Sequence, residues 1–306
     1  MSRAIDASQP ISATAPARGF AYLLVSVTLL SSGWPLTKLA IDHGAAPLWF
    51  AEGRAVLSGL VAAALLAATG RFALPRRGDW PVILAVGAFQ LGIYFALAHL
   101  AVAWVAAGRT AVLANTTTIF VVPLSLIFLR EPIPPARWVA TLVGLGGIAV
   151  LVGPWAIDWA SRRALVGNAL LLGAALSWSI AILVLRRFPP VSPMASLLPW
   201  CFLVAALILA PLLLREAPRG GLGDGTAWGC LAYVGLIAGP LGTWGVIEAT
   251  VILPAVVASV GFLATPAFGI LLSNWILGEP ITPDLVAGTA LILAGVGLAA
   301  VSGRRR

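Results

Sequence analysis

Residues 129–135 read L-R-E-P-I-P-P and residues 277–283 read L-G-E-P-I-T-P, identical at five of seven positions. Each copy closes one long apolar run and opens the next. Glu279 minus Glu131 is 148, and the same 148 separates Gly19 from Gly167, Trp80 from Trp228 and Gly147 from Gly295. In a composition this biased single matches are cheap, so the constant register and the shared E-P-I core carry the reading. The chain is two copies of one unit.

Sixty per cent of the 306 residues are hydrophobic and 10% are charged, with mean hydropathy +1.00. That leaves too little polar surface for a soluble globule and indicates a polytopic, all-α membrane protein. A hydrocarbon core about 30 Å thick requires about 20 apolar residues per helical crossing. Run length, flanking charge and Gly/Pro punctuation then give ten expected transmembrane helices: 19–41, 47–69, 80–102, 106–129, 135–153, 164–186, 193–214, 227–249, 251–277 and 284–302. Residues 1–18 are expected to form a disordered cytosolic tail, retained because a full-length apolar run follows rather than a short signal-peptide core. Residues 19–153 form a first five-helix unit, 154–163 a linker loop and 164–303 a second five-helix unit.

Ten crossings put both termini on one side. With the termini inside, Arg3, Arg18, Arg71, Arg76, Arg77, Arg130, Arg137, Arg186, Arg187, Arg304, Arg305 and Arg306 are cytosolic, twelve against the four outside, Arg162, Arg163, Arg215 and Arg219. The positive-inside rule therefore predicts cytosolic termini. Because five is odd, the two units must cross in opposite directions, an inverted repeat suited to alternating access. The charge of +8 lies in short loops rather than on one stripe, so nucleic acid is not an expected partner. Cys201, Cys230 and the two histidines lack metal-ligand spacing, and neither a metal nor a cofactor is expected. There is no H-E-x-x-H, no G-x-S-x-G and no intramembrane pair of aspartates, which removes the parts an intramembrane enzyme needs. A non-transporting channel or scaffold is the other alternative, and inverted duplication argues for alternating access over a static pore.

Gly33-Trp34-Pro35 with Lys38 in the first span, Arg54 in the second, Ala107-Gly108-Arg109-Thr110-Ala111 at the entry of the fourth, then Glu131 and the glycines 144–147, resemble the drug/metabolite transporter superfamily, EamA type. The second half repeats the later part with Pro266, Glu279 and Gly295. The resemblance implies two inverted five-helix repeats and a secondary transporter of a bacterial inner membrane, often an exporter of amino acids or other small metabolites. It also implies a central cavity lined by spans 1, 3, 4, 6, 8 and 9. One departure is visible: the family's proline thirteen residues before the glutamate is Pro266 in the second half, but Thr118 stands there in the first, with Pro123 five residues later.

Interrupted helices at matched depth point to a transport site, because an unwound turn frees backbone groups that a cavity or ligand must satisfy. Adding 148 to Gly92 gives Pro240, and adding it to Thr118 gives Pro266, so spans 3, 4, 8 and 9 are expected to meet at the cavity. Gln90 with Tyr94 on span 3 and Asn115 with Thr118 on span 4 share helix faces and offer uncharged hydrogen-bonding groups to a substrate or to a neighbouring helix. Trp34, Trp178 and Trp244 lie inside spans, unlike the interfacial tryptophans, and are candidates for stacking on a planar or cationic substrate or for helix packing. Lys38, Arg54, His99 and Glu248 are candidates for gating or coupling. Glu131 and Glu279 each precede a proline at a helix-to-helix turn and are expected to be structural, accepting exposed N–H groups. The expected partners are a small-molecule substrate and the lipid bilayer, with the chain a monomer or homodimer, since the glycine-rich faces of spans 5 and 10 permit close packing within one chain or between two.

Overall fold

The computed structural model describes residues 14–130, 135–153, 155–216, 220–253 and 255–302. Among them the chain is helical throughout, with one isolated antiparallel bridge, Ala45 to Leu222. Six helical stretches are long and apolar enough to cross a membrane, and four shorter apolar helices, Ile119–Leu129, Trp138–Val152, Ala264–Leu277 and Pro283–Leu298, accompany them.

In chain order the helices are α1 (Thr14–Asp42), α2 (Pro47–Ala68), α3 (Trp80–Ala85), α4 (Tyr94–Val102), α5 (Ala107–Leu113), α6 (Thr117–Leu129) and α7 (Pro135–Val152). The second half holds α8 (Arg162–Arg187), α9 (Met194–Leu213), α10 (Gly225–Ala232), α11 (Gly239–Ile252), α12 (Ala255–Phe262), α13 (Ala264–Leu277) and α14 (Pro283–Ser302). A π-helical segment, Val86–Ile93, joins α3 to α4, and another, Tyr233–Ala238, joins α10 to α11. Two boundaries differ from the sequence expectation. Helix α1 begins at Thr14, inside the expected tail, because alanines follow and Pro16 falls in the first turn, where a missing N–H removes no helical bond. Helix α11 runs on to Ile252 and stops at Leu253, which is extended (φ −88°, ψ 149°) because Pro254 follows and disfavours the helical conformation of its predecessor.

The 148-residue register reappears as contacts. Helix α1 packs on α11 and α13, and α8, its register mate, packs on α4 and α6, the mates of α11 and α13. Two pairs, α2 with α9 and α7 with α14, map onto themselves. Between α7 and α14 the backbones touch: a Cβ on Gly147 would lie 2.7 Å from the Gly288 carbonyl, and one on Gly295 would lie 2.7 Å from the Ala140 carbonyl. Subtracting 148 from 295 and from 288 gives 147 and 140, so these two contacts are one contact seen twice. The glycine faces of α7 and α14 are therefore turned on each other within one chain.

Two loop clasps follow the same rule. His43 Nδ1–H donates to Asp224 at 2.8 Å, and the Asp224 N–H donates to the His43 carbonyl at 3.1 Å. The His43 bond, with the Ala227 N–H, holds the Asp224 carboxyl below the usual carboxylate range. Shifting these positions by 148 gives 191 and 76, where the buried Asp79 carboxylate accepts from the N–H of Val191 at 2.8 Å, of Ser192 at 2.9 Å and of Arg76 at 2.9 Å, and from the Ser192 hydroxyl at 2.7 Å. Each half contributes one side of each clasp.

Candidate functional site

Helix breaks occur four times, in register. Spans 3 and 8 carry the π segments, beside Gly92 and Pro240. Widening the helix there frees carbonyls, and serine hydroxyls from neighbouring helices take them: Ser177 donates to Phe89 O at 2.7 Å and Ser58 to Gly235 O at 2.9 Å. The fourth span breaks at 114–116, between α5 and α6, and the ninth at Leu263, between α12 and α13. Adding 148 to Asn115 gives Leu263. The break thus falls three residues before Thr118 and Pro266, because a proline is accommodated in a helix's first turn and Pro266 is the third residue of α13. In the first half, which lacks that proline, the side chains of Asn115 and Thr116 turn back onto the carbonyls of Ala111 (2.6 Å) and Leu113 (2.7 Å), competing with the helix ladder.

Each break is bridged by one serine. Ser31 of α1 donates to the carbonyl of Thr265 at 3.0 Å, just past the second break, and Ser179 of α8 reaches that of Thr117 at 2.9 Å, just past the first, sharing its proton with Ala175 O of its own helix at 2.7 Å. Since 31 + 148 = 179 and 117 + 148 = 265, the two bridges are register equivalents. Thr117 and Thr265 are the first and second residues of α6 and α13, where the helix itself offers each carbonyl an N–H four residues on, so the serine hydroxyl adds a second bond that ties the start of each helix to its neighbour.

Beside these breaks lies an aromatic cluster. Tyr94 meets Trp178 edge-on, with centroids 4.8 Å apart, and Trp34 at 6.2 Å. Phe95 and Trp34 flank His99 at 5.5 and 5.9 Å, and Phe50 closes the other side at 6.0 Å. His99 is fully buried; its Nδ1–H donates to Phe95 O at 2.7 Å, which assigns the lone pair to Nε2, and Nε2 has no hydrogen-bond partner among the described residues. The Arg54 guanidinium lies over the Phe95 ring, 4.5 Å from its centroid. Gln90, one turn before Tyr94, is partly buried, and among the described residues its amide has no partner. Buried Gly33, next to Trp34 on α1, has room beside it: outside its chain neighbours and its own helix backbone, an added Cβ would find no atom within 4 Å. Trp34, Tyr94 and Trp178 form an aromatic wall of the kind that lines ligand sites.

The remaining sequence candidates are scattered. Trp244 is 45% exposed and pairs edge-on with Tyr22 at 5.5 Å, away from the other two tryptophans. Lys38 is paired within its own helix, 3.0 Å from Asp42. Glu248 is partly buried on α11, the helix that carries Trp244. The side chain of Thr118 and all of Glu131 lie outside the described residues. Glu279 accepts from the N–H groups of Ala107 at 2.7 Å and Gly108 at 2.9 Å, capping α5 where the helix's positive end needs an anion. Nearby, Arg109 donates to Leu151 O and pairs with Asp284 at 2.9 Å, with both side chains largely buried. A cavity of about 170 Å³ borders Arg109 and Glu279, but these structural bonds already occupy both charged groups.

Sequence reasoning missed Phe50, Phe95, Ser31 and Ser179. The serines carried a legible signal, identical residues 148 apart; the phenylalanines carried none, because only the packing of α2 on α4 distinguishes them from other apolar residues.

The sequence model of the EamA-like transporter family matches residues 17–153 and again residues 165–301, and 165 − 17 and 301 − 153 both equal 148. An uncharacterized transporter of Archaeoglobus fulgidus is 26% identical over 282 residues, covering 89% of this chain and 96% of that protein. A riboflavin transporter of Rhizobium johnstonii is 31% identical over 159 residues, 51% of this chain and 49% of its own. A solved crystal structure superposes with a TM-score of 0.62 at 21% identity, covering 95% of this chain and 97% of the other, a likeness of fold.

Proposed function

We propose, from the premise that this chain belongs to the EamA-like transporter family, that it is a secondary transporter moving a small metabolite by alternating access around a chamber walled by Trp34, Tyr94 and Trp178. It is a multi-pass membrane transporter and not an enzyme. The observation that carries the mechanism is the pair of serine-bridged breaks, Ser31 to Thr265 and Ser179 to Thr117. Alternation needs a place in each half where the helix bends without losing its hydrogen bonds. A break after which the next helix is tied at its first turn to the facing helix by a hydroxyl supplies that place, and the register supplies it twice.

In this reading ten helices cross the membrane as two inverted five-helix repeats, both termini are cytosolic, and the protein sits in a bacterial inner membrane. Twelve arginines against four support the orientation. Transport is outward, of amino acids or related compounds, and the aromatic wall of Trp34, Tyr94 and Trp178 favours those with a planar ring. Relatives named riboflavin transporters place a ring system of that kind in the same panel. The test is counterflow in proteoliposomes preloaded with aromatic amino acids, other amino acids or riboflavin. Accumulation of labelled substrate against its preloaded partner, reduced by Tyr94→Ala and Trp178→Ala, is expected; folded protein that exchanges nothing across the panel overturns the reading.

A further inference from the structure

We propose that Arg54 is the anion receptor of this chamber and that its substrates are planar carboxylates, the ring held against Tyr94 and Trp178 and the carboxylate on the guanidinium. The proposal rests on the reading that the aromatic cluster lines the transport route.

Arg54 lies seven residues into α2, about 10 Å along the helix from Pro47 at 1.5 Å per residue. A lysine or arginine at such depth can snorkel to the lipid headgroups, but this guanidinium lies over Phe95, which belongs to the largest buried cluster together with Trp34 and Tyr94. Its direction is inward. A cation held inside a membrane protein is disfavoured unless an anion or water meets it. Among the described residues the ion pairs are Lys38 with Asp42, His43 with Asp224 and Arg109 with Asp284, and none involves Arg54. Among the described residues no other carboxylate pairs with Arg54 either. Asp79 holds the 191–192 loop, and Glu279 caps α5. Glu52 is two positions along the same helix, about 200° around it, and one of its oxygens is buried without a partner.

The contact with Phe95 uses no N–H of the guanidinium, and among the described residues those N–H groups bond to nothing, which leaves them for a carboxylate through two parallel bonds. A run of aromatic rings continues from there: Phe95 to Tyr94 at 6.1 Å, Tyr94 to Trp178 at 4.8 Å. A ligand with a ring at one end and a carboxylate at the other meets complementary groups at both. The amide of Gln90 and hydroxyl of Tyr94, unpartnered among the described residues, add hydrogen-bonding capacity nearby.

The experiment uses the full chain in nanodiscs and two probes of one shape, indole-3-acetate and its neutral amide, indole-3-acetamide, read by thermal stabilisation. The acetate is expected to bind at least about tenfold more tightly, the range a charge-assisted pair supplies. Arg54→Gln should abolish that preference by weakening the acetate alone, and Arg54→Lys should keep part of it. Phe95→Leu, which removes the stacking platform and leaves the charge, serves if the Arg54 variants fold poorly; it should reduce the preference. Equal binding of the two probes, binding of neither, a preference that survives Arg54→Gln, or one that follows the anionic lipid content of the nanodisc each overturns the proposal. Counterflow that persists while the charge preference is absent removes this inference and leaves the transport reading standing; a charge preference at Arg54 without counterflow does the reverse.

Discussion

Gly146 and Gly147 are neighbours on α7, and the structure separates their substitutions sharply. A Cβ added at Gly146 meets nothing within 4 Å, whereas one added at Gly147 lies 2.7 Å from the Gly288 carbonyl and 2.9 Å from the Ile292 N–H nitrogen. Both contacts at Gly147 are backbone, so no rotamer change relieves them. Either Gly→Ala change brings the same gain in helix propensity, up to about 1 kcal/mol, and that gain cancels when the two variants are compared. What remains is the overpacking of α7 against α14, about 1–3 kcal/mol. The register mate Gly295 meets Ala140 O at 2.7 Å and Gly144 N at 2.8 Å, so Gly295→Ala should match Gly147→Ala. Gly288→Ala would place its Cβ 2.5 Å from Cγ of fully buried Leu151 and 3.0 Å from the Gly147 carbonyl, and should destabilise as well. Denaturation of each variant by SDS in mixed micelles, followed by circular dichroism, measures the differences. Equal stability of Gly146→Ala and Gly147→Ala, or a harmless Gly295→Ala, would refute both the contact and the register behind it.

At Arg130, a non-glycine residue with φ 53° at the end of α6, the register mate is Gly278 at φ 68°, so Arg130→Gly should stabilise the protein by about 1 kcal/mol and Gly278→Ala should destabilise it comparably in the same assay. Glu279→Gln replaces a charged acceptor by a neutral one at the start of α5 and should cost roughly 1–2 kcal/mol, with faster hydrogen exchange at the amides of Ala107 and Gly108. Because the Asp224 carboxyl is held below its ordinary range, chiefly by His43, its contribution to stability is complete above that range and lost as pH falls through the depressed value; Asp224→Asn should flatten that acid limb in thermal melts. Ser31→Ala and Ser179→Ala each remove one bridge, about 0.6 kcal/mol on the average for hydrogen bonds between membrane helices, and should slow exchange in counterflow more than they lower stability; unchanged exchange in both would separate the breaks from transport.

The residues that were legible in the sequence were those whose role depends on register or on position along the chain. The E-P-I copies gave the 148-residue shift, and that shift locates the helix breaks to within three residues. The error of three has a physical source: proline marks the first turn of the helix that follows a break, and Asn115 makes the break where no proline is present. Trp34 and Trp178 stood out as tryptophans inside apolar runs and lie beside Tyr94, yet Trp244 satisfied the same rule and pairs with Tyr22. Depth along a helix can be read from sequence; the direction a side chain faces depends on which helices meet there. The same limit hid Phe95, whose ring matters because Arg54 lies over it. Lys38, with a carboxylate one turn away at Asp42, had its partner in plain sequence view.

Duplication is retained unevenly across the molecule. Several positions that match under the shift are close approaches or bonds to backbone, Ser31 and Ser179, Gly147 and Gly295, Gly87 and Gly235 in the π segments, whereas Ser177 and Ser58, which also donate to carbonyls, have Leu29 and Ala206 as mates. The positions that carry side-chain chemistry do not match. Shifting Arg54, Trp34 and Tyr94 forward by 148 gives Phe202, Ile182 and Gly242, and shifting Trp178 back gives Leu30. Arg109 and Asp284 have as mates Val257 and Ala136, so that ion pair has no counterpart in the other half. A transporter that alternates needs each half to perform the same bend, and a change in one bridge or one close approach would make the two directions unequal. Recognition carries no such demand, because one substrate occupies one chamber, and a second Arg54 would only add another buried cation to neutralise. In the proposed reading the matched serines belong to the movement and Arg54, Trp34, Tyr94 and Trp178 to the ligand, so variants at those four positions should alter which molecule is carried.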